Sequence, residues 1–175
     1  MRGAKREPAP GCTTRFNGQI PQQDLETLLQ FKHQRDAFLN RPLLAPGLNV
    51  SASSIRKGDS ARFGPANVVD GNANTYWAMN DNQTTGFLEI HLDSVHSIDA
   101  IILQEHIALG QRIGGYLVDA GVQGAYKRIV NGTSLGYKRI WNLTSTVEAD
   151  SIRLQILQSN ATPLINRVQA LGFKR

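Results

Sequence analysis

Few residues of this chain carry chemistry in a spacing that a catalytic centre would use. His33, His91, His96 and His106 lack the four-residue spacing that sets two imidazoles on one helix face around zinc, and Cys12, the lone cysteine, has no second thiol for a metal site or a disulfide. No Gly-x-Ser-x-Gly elbow surrounds a serine, and Gly114-Gly115 is turn chemistry rather than a phosphate loop. Glu89, Asp93 and Glu105 fall at strand positions or strand ends, as surface or paired structural charges. Recognition chemistry is better represented. Tyr137, Lys138 and Arg139 set an aromatic beside two cations, a group that can stack on a pyranose ring and bond its hydroxyls. In a strand, however, Tyr137 and Lys138 point to opposite faces unless a bulge intervenes. Glu105 and Arg112 bracket a loop. They either fix it as a bidentate ion pair, or Gln111 and Arg112 contact sugar hydroxyls.

The elements that would hold these residues are mostly strands. Within residues 67–77, NVVDGNANTYW, Val68 and Val69 suit a half-buried strand, Asp70-Gly71-Asn72 suits a turn with positive φ, and Trp77 suits a core more than a sugar platform. Leu88, Ile90 and Leu92 alternate with Glu89, His91 and Asp93, the period of a strand with one wet face. Residues 98–103 form an apolar run fit for burial on both sides, and Tyr116, Val118, Ala120 and Ile152, Leu154, Ile156 alternate again. Regularly spaced glycine and asparagine turns separate these runs, which predicts an all-β jelly-roll sandwich. Ahead of it, Pro21 and the apolar spacing of Leu25, Leu28 and Leu29 predict one amphipathic helix, ending at Asn40 before the Arg41-Pro42 step. The expected organisation is a mobile basic tail over residues 1–19, the helix with a linker over 20–48, and the sandwich over 49–175.

Charge narrows the partners. The net charge is +5, but Arg2, Lys5, Arg6 and Arg15 against Glu7 leave three positive charges near the start, and Lys174 and Arg175 supply the other two. The body between is neutral, which argues against a nucleic-acid-tracking surface. No run of about 18 apolar residues offers a membrane span, and the first residues lack the apolar core of a signal peptide. Glycosylation sequons at Asn49, Asn82, Asn131, Asn142 and Asn160 exceed chance expectation and favour a secretory history, although asparagine, serine and threonine also crowd β-turns. Sequons without a leader suggest a chain separated from the start of a longer secreted precursor.

The run at residues 67–77 resembles the A-x-D-G-N-x-x-T-x-W signature of discoidin-type, galactose-binding-like sandwiches, also found in coagulation factors five and eight. LQEHIALGQRI at 103–113, NGTSLGYKRI at 131–140, SIRLQI at 151–156 and PLI at 163–165 resemble, in order, the landmarks of the C-terminal region of α-L-fucosidases, especially plant ones. GQIPQQDLETLLQF at 18–31 is similar to the helix following their catalytic barrel. The resemblance implies an extracellular glycoside hydrolase with a (β/α)8 barrel and two catalytic carboxyls. None of that family's catalytic motif residues has a counterpart here, and residues 1–48 are too few for a barrel. The expected function is therefore a non-catalytic accessory or carbohydrate-binding module, partnered by glycan or by a fucosidase catalytic domain. The alternatives are a part of an active fucosidase whose barrel lies on missing sequence, and a discoidin-like cell-surface or protein-binding module. The resemblance also implies a structural Ca²⁺ at the turn, held by Asp70, Thr75 and groups near Asn67 and Asn72. Arg167 occupies the place where calcium-binding relatives add an acid. The competing reading is that Asp70 and Thr75 hydrogen-bond the turn.

Overall fold

A computed structural model describes residues 18–174; Cys12, Arg175 and nearly all of the expected basic tail lie outside that range. The described residues fall into two units divided after Asn40.

The first unit holds α1 (Gln22–Leu39). Pro21 begins it, accepting a bond from the Leu25 N–H at 3.1 Å, and Asp24 sits near the positive end of the helix dipole. The Asn40 N–H closes the last turn on the Asp36 carbonyl at 2.9 Å. The expected apolar stripe is real only at the start. Two and three turns beyond Leu25 stand Lys32 and Asp36, while Phe31 lies off the stripe, and no helix residue is buried.

The second unit contains β1 (Asn49–Ala52), α2 (Ser60–Phe63), β2 (Trp77–Ala78), β3 (Gly86–Glu105), β4 (Ile113–Val122), β5 (Ala125–Gly132), β6 (Arg139–Ser159) and β7 (Leu164–Lys174). Every pairing is antiparallel, in the order β2-β7-β3-β6-β4-β5, with β1 added on β3. The two long strands make the sandwich. β3 loses register with β6 between His91 and His96, so its first half pairs with β1 and residues 151–156, and its second half pairs with β7 and residues 139–149. Leu88 and Ile90 from one half meet Ile98, Ile101 and Leu103 from the other, with Trp77, Tyr116, Val118, Ile152, Leu154 and Val168 in the same core. Each such side chain contributes roughly 1.5–3 kcal/mol on burial. The expected all-β jelly-roll sandwich is present.

Three local expectations are corrected. Val68 and Val69 form no strand: Pro65, with its fixed φ, starts a 3₁₀ turn over Pro65–Val68, which still buries both valines. The stretch taken for linker belongs to the sandwich unit, because Leu43 and Leu44 are buried and the Leu43 N–H bonds the Ala170 carbonyl at 2.9 Å. The face of β3 opposite the core is not simply wet. Glu89 is buried there under Arg153, whose Nη2 donates to it at 2.7 Å, and under the Tyr126 hydroxyl, while the Arg153 guanidinium lies 4.0 Å from the Tyr126 ring centroid.

Candidate functional site

The turn after Val69 is self-contained. Gly71 takes φ +78°, as the sequence required, and the Asp70 carboxylate accepts from the Asn72 N–H at 2.7 Å and from the Thr75 hydroxyl at 2.6 Å. Asn67 donates its amide to the carbonyls of Arg62 and Tyr76, each at 3.0 Å. Arg167 reaches the Gly71 carbonyl with Nη2 at 3.5 Å. The donor set does not fit calcium: it offers one carboxylate, already engaged on both oxygens, with a guanidinium beside it. Among the described residues no three acids, histidines or cysteines form a metal-ligating group. At Asn67, Asp70, Asn72 and Thr75 the structure shows the hydrogen bonds of the competing turn reading.

Glu105 and Arg112 meet in a different way from the expected bidentate pair. The Glu105 Oε1 accepts backbone N–H groups, Arg112 at 2.6 Å and Ile113 at 3.1 Å, while the guanidinium of Arg112 donates to the carbonyls of Thr162 at 2.8 Å and Leu109 at 3.0 Å. The Arg112 carbonyl also accepts from the Asn160 N–H at 2.8 Å. Backbone groups win because the loop folds under the carboxylate and leaves orphan donors facing it. Burial raises the Glu105 carboxyl above its usual range, against the opposing pull of the N–H groups of Arg112, Ile113 and Gly136 and the Arg112 charge. Together these contacts staple the loop of residues 106–112 to the loop of residues 160–163.

Beside that staple runs a cleft with two lobes. The wider, about 380 Å³, is lined by Ala73, Asn74, Gln104, Glu105, His106, Ile107, Ala108, Tyr137 and Asn166. The narrower, about 120 Å³, shares Ala73, Gln104, Tyr137 and Asn166 and adds Asn72, Lys138 and Arg167. Strand register explains the convergence. Gln104 on β3 lies directly across from Arg167 on β7, and the register shift beside that pair leaves Asn166 as a bulged residue. Asn166 ties the rim together, donating its amide to the carbonyls of Thr75 at 2.7 Å and Ala73 at 3.0 Å. His106 stacks on Tyr76 at 4.4 Å between centroids, stiffening the opposite wall.

Of the sequence candidates, Tyr137 and Lys138 both line the cleft. The alternation argument against their sharing a surface fails because the two residues precede β6, in a loop that follows Gly136 at φ +70°. Tyr137 is 65% exposed. Gln111 is exposed beside Gly136 without lining either lobe, and Arg112 serves the loop staple. Arg139 is on β6, with its guanidinium 5.3 Å from the Trp141 ring centroid, away from the cleft. Trp77 is fully buried, its indole N–H donating to the Ser54 carbonyl at 3.0 Å. Sequence reasoning missed Gln104 and Asn166. Gln104 is only 6% exposed, yet its Oε1 has no hydrogen-bond partner among the described residues. Such an orphan acceptor at a cleft wall is open to an external donor, whether water or a ligand hydroxyl.

Comparisons with known proteins agree with the fold. The chain is 30% identical over 152 residues to α-L-fucosidase 1 of Arabidopsis thaliana, covering 86% of this chain and 30% of that protein. Among solved structures, SpGH29 is 31% identical, with TM-score 0.76 over 90% of this chain and 34% of its own. A GH29 fucosidase from Ruminococcus gnavus in complex with fucose is 27% identical, with TM-score 0.78 over 90% of this chain and 32% of its own. The family 32 carbohydrate-binding module of Clostridium perfringens NanJ in complex with galactose shares the fold, with TM-score 0.66, 17% identity, and 74% of this chain and 97% of that one covered. The chain thus spans about a third of the length of the fucosidases it matches. It resembles their C-terminal accessory domain, and its described residues contain no catalytic barrel. The F5/8 type C domain matches residues 49–168, most of the chain, and the protein belongs to that family.

Proposed function

We propose that this protein is the non-catalytic, saccharide-binding module of an extracellular α-L-fucosidase, holding a catalytic domain near its glycan through the cleft around Tyr137. The observation that carries the reading is Gln104, a buried amide with an unpartnered oxygen beside an exposed aromatic ring. A pyranose stacked on Tyr137 would supply the hydroxyl donor that Gln104 lacks. The extracellular setting is supported by the plant fucosidase relatives and by the exposure of all five sequon asparagines, Asn49, Asn82, Asn131, Asn142 and Asn160. No described helix is long and apolar enough to cross a membrane.

A glycan array followed by calorimetry tests this. Tyr137→Ala and Gln104→Leu should each weaken saccharide binding by at least about tenfold, the cost of one stacked ring or one well-made hydrogen bond to a bound hydroxyl. Gln104→Leu should leave the melting temperature unchanged or higher, because it removes an unsatisfied polar group without changing side-chain size greatly. A chain that binds no saccharide at millimolar concentration would sink the proposal. A partner role for a fucosidase catalytic domain is favoured by the reach of the similarity beyond residues 49–168 into the helix region. Co-purification with a separately produced catalytic domain tests it.

A further inference from the structure

We infer that the narrow lobe of this cleft recognises an anionic saccharide, one whose ring carries a carboxylate or a sulfate, an inference that rests on the saccharide-binding reading above. The lobe's lining holds two cations, three amides and a phenol, and no carboxylate. Lys138 has no hydrogen-bond or ion-pair partner among the described residues, and Arg167 has only the long 3.5 Å contact with the Gly71 carbonyl. Asp70, in the neighbouring turn, accepts from the Asn72 N–H and the Thr75 hydroxyl and pairs with neither cation. Residues 18–173 carry no net charge, so these two positive charges form a local excess rather than part of a basic surface.

A neutral sugar seated on Tyr137 would strip water from Lys138 and Arg167 and give neither an anion in return. A ring carboxylate or sulfate fits both: the guanidinium offers its two-pronged fork and the ammonium a point charge. The amides of Gln104, Asn166 and Asn72 then remain for ring hydroxyls. The wider lobe, opening from the same Tyr137, gives room for the neighbouring residue of the chain.

Calorimetry on the full chain with four probes tests this: oligogalacturonate, its carboxyl-reduced neutral counterpart, a galactose 6-sulfate oligosaccharide, and polyaspartate as a polyanion without sugar. At least one acidic saccharide should bind about tenfold or more tighter than the neutral counterpart, with affinity falling as salt rises. The tighter of the two acidic probes assigns carboxylate or sulfate. Lys138→Gln should erase about tenfold of the acidic preference, read as the ratio of acidic to neutral affinity in the same variant. Arg167→Gln should do the same, with its melting temperature followed because the side chain also touches the Gly71 turn. Equal affinity for acidic and neutral oligosaccharides, with both lost in Tyr137→Ala, would overturn the inference while sparing the saccharide-binding reading. An equal loss of polyaspartate binding in Lys138→Gln would reduce the effect to unspecific charge and also overturn it. If no saccharide binds at all, both readings fall together.

Discussion

Glu89 and Glu105 are both buried carboxyls, and their surroundings move them in opposite directions. Burial alone would raise Glu89, but the Tyr126 hydroxyl, the Arg153 guanidinium and the nearby His91 bring it below the usual carboxylate range. A depressed acid contributes stability above its unfolded value and loses it as pH falls through the folded one. Glu89→Gln should therefore cost about 1–3 kcal/mol at pH 7 and flatten the acid side of the stability curve. Melts between pH 3 and pH 8 check this, and an unchanged acid limb would refute it. Glu105 is raised by burial, so the protonated form suits the fold and stability declines as pH climbs from the usual carboxylate range through the folded value. Glu105→Gln should remove that decline in the same melts. Sequence paired Glu105 with Arg112 but through the wrong group, since the backbone N–H groups that hold the carboxylate carry no signature in side-chain types. Gln104 was illegible for a related reason: its meaning comes from lying across from Arg167, and register between β3 and β7 is not written in either strand alone. Trp77 was legible because a large aromatic at the end of a fixed turn has few places to go.

At the level of elements, alternation gave away β3, β4 and β6, where long apolar faces repeat with period two. Short pieces escaped it. Leu43 and Leu44 are adjacent and show no period, yet they pack in the core while residues 41–43 bond β7. This predicts a sharp difference between two truncations. Removing residues 1–40 should leave the melting temperature within about 2 °C, since among the described residues no core residue precedes Leu43. Removing residues 1–48 should destabilise by roughly 3–6 kcal/mol through two lost leucines and two lost backbone bonds. Differential scanning calorimetry separates the two, and equal losses would show that the first unit contributes to the sandwich's stability. Gly172 sets a further limit on β7. A Cβ there would collide with the Ser97 backbone carbonyl, so Gly172→Ala should cost at least about 2 kcal/mol, readable in urea unfolding.

Taken as a whole, the described strands build a sandwich and not a barrel. A (β/α)8 enzyme needs eight parallel strands with helices between them, whereas every pairing among the described strands is antiparallel. Purified chain should give no turnover of an aryl-fucoside, and activity that follows this protein through repurification would contradict that. The order of motifs along the sequence exposed this architecture because those at 67–77, 103–113, 131–140 and 163–165 lie at strand ends or turns, where residue choice is most constrained, while SIRLQI marks the interior of β6. The cleft is another matter, since its walls come from segments around residues 73, 104, 137 and 166: β3 and the start of β6 bring the second and third together, and β7 adds the fourth and ties it to the first. That arrangement sets a timetable for synthesis. A nascent chain emerging from the ribosome has the aromatic platform well before it has the rim, and Asn166 cannot reach the Ala73 and Thr75 carbonyls until the final strand has cleared the exit tunnel. Ligand capture by translation intermediates stalled at successive lengths should therefore switch on abruptly once β7 is free, making sugar affinity a report on finished folding.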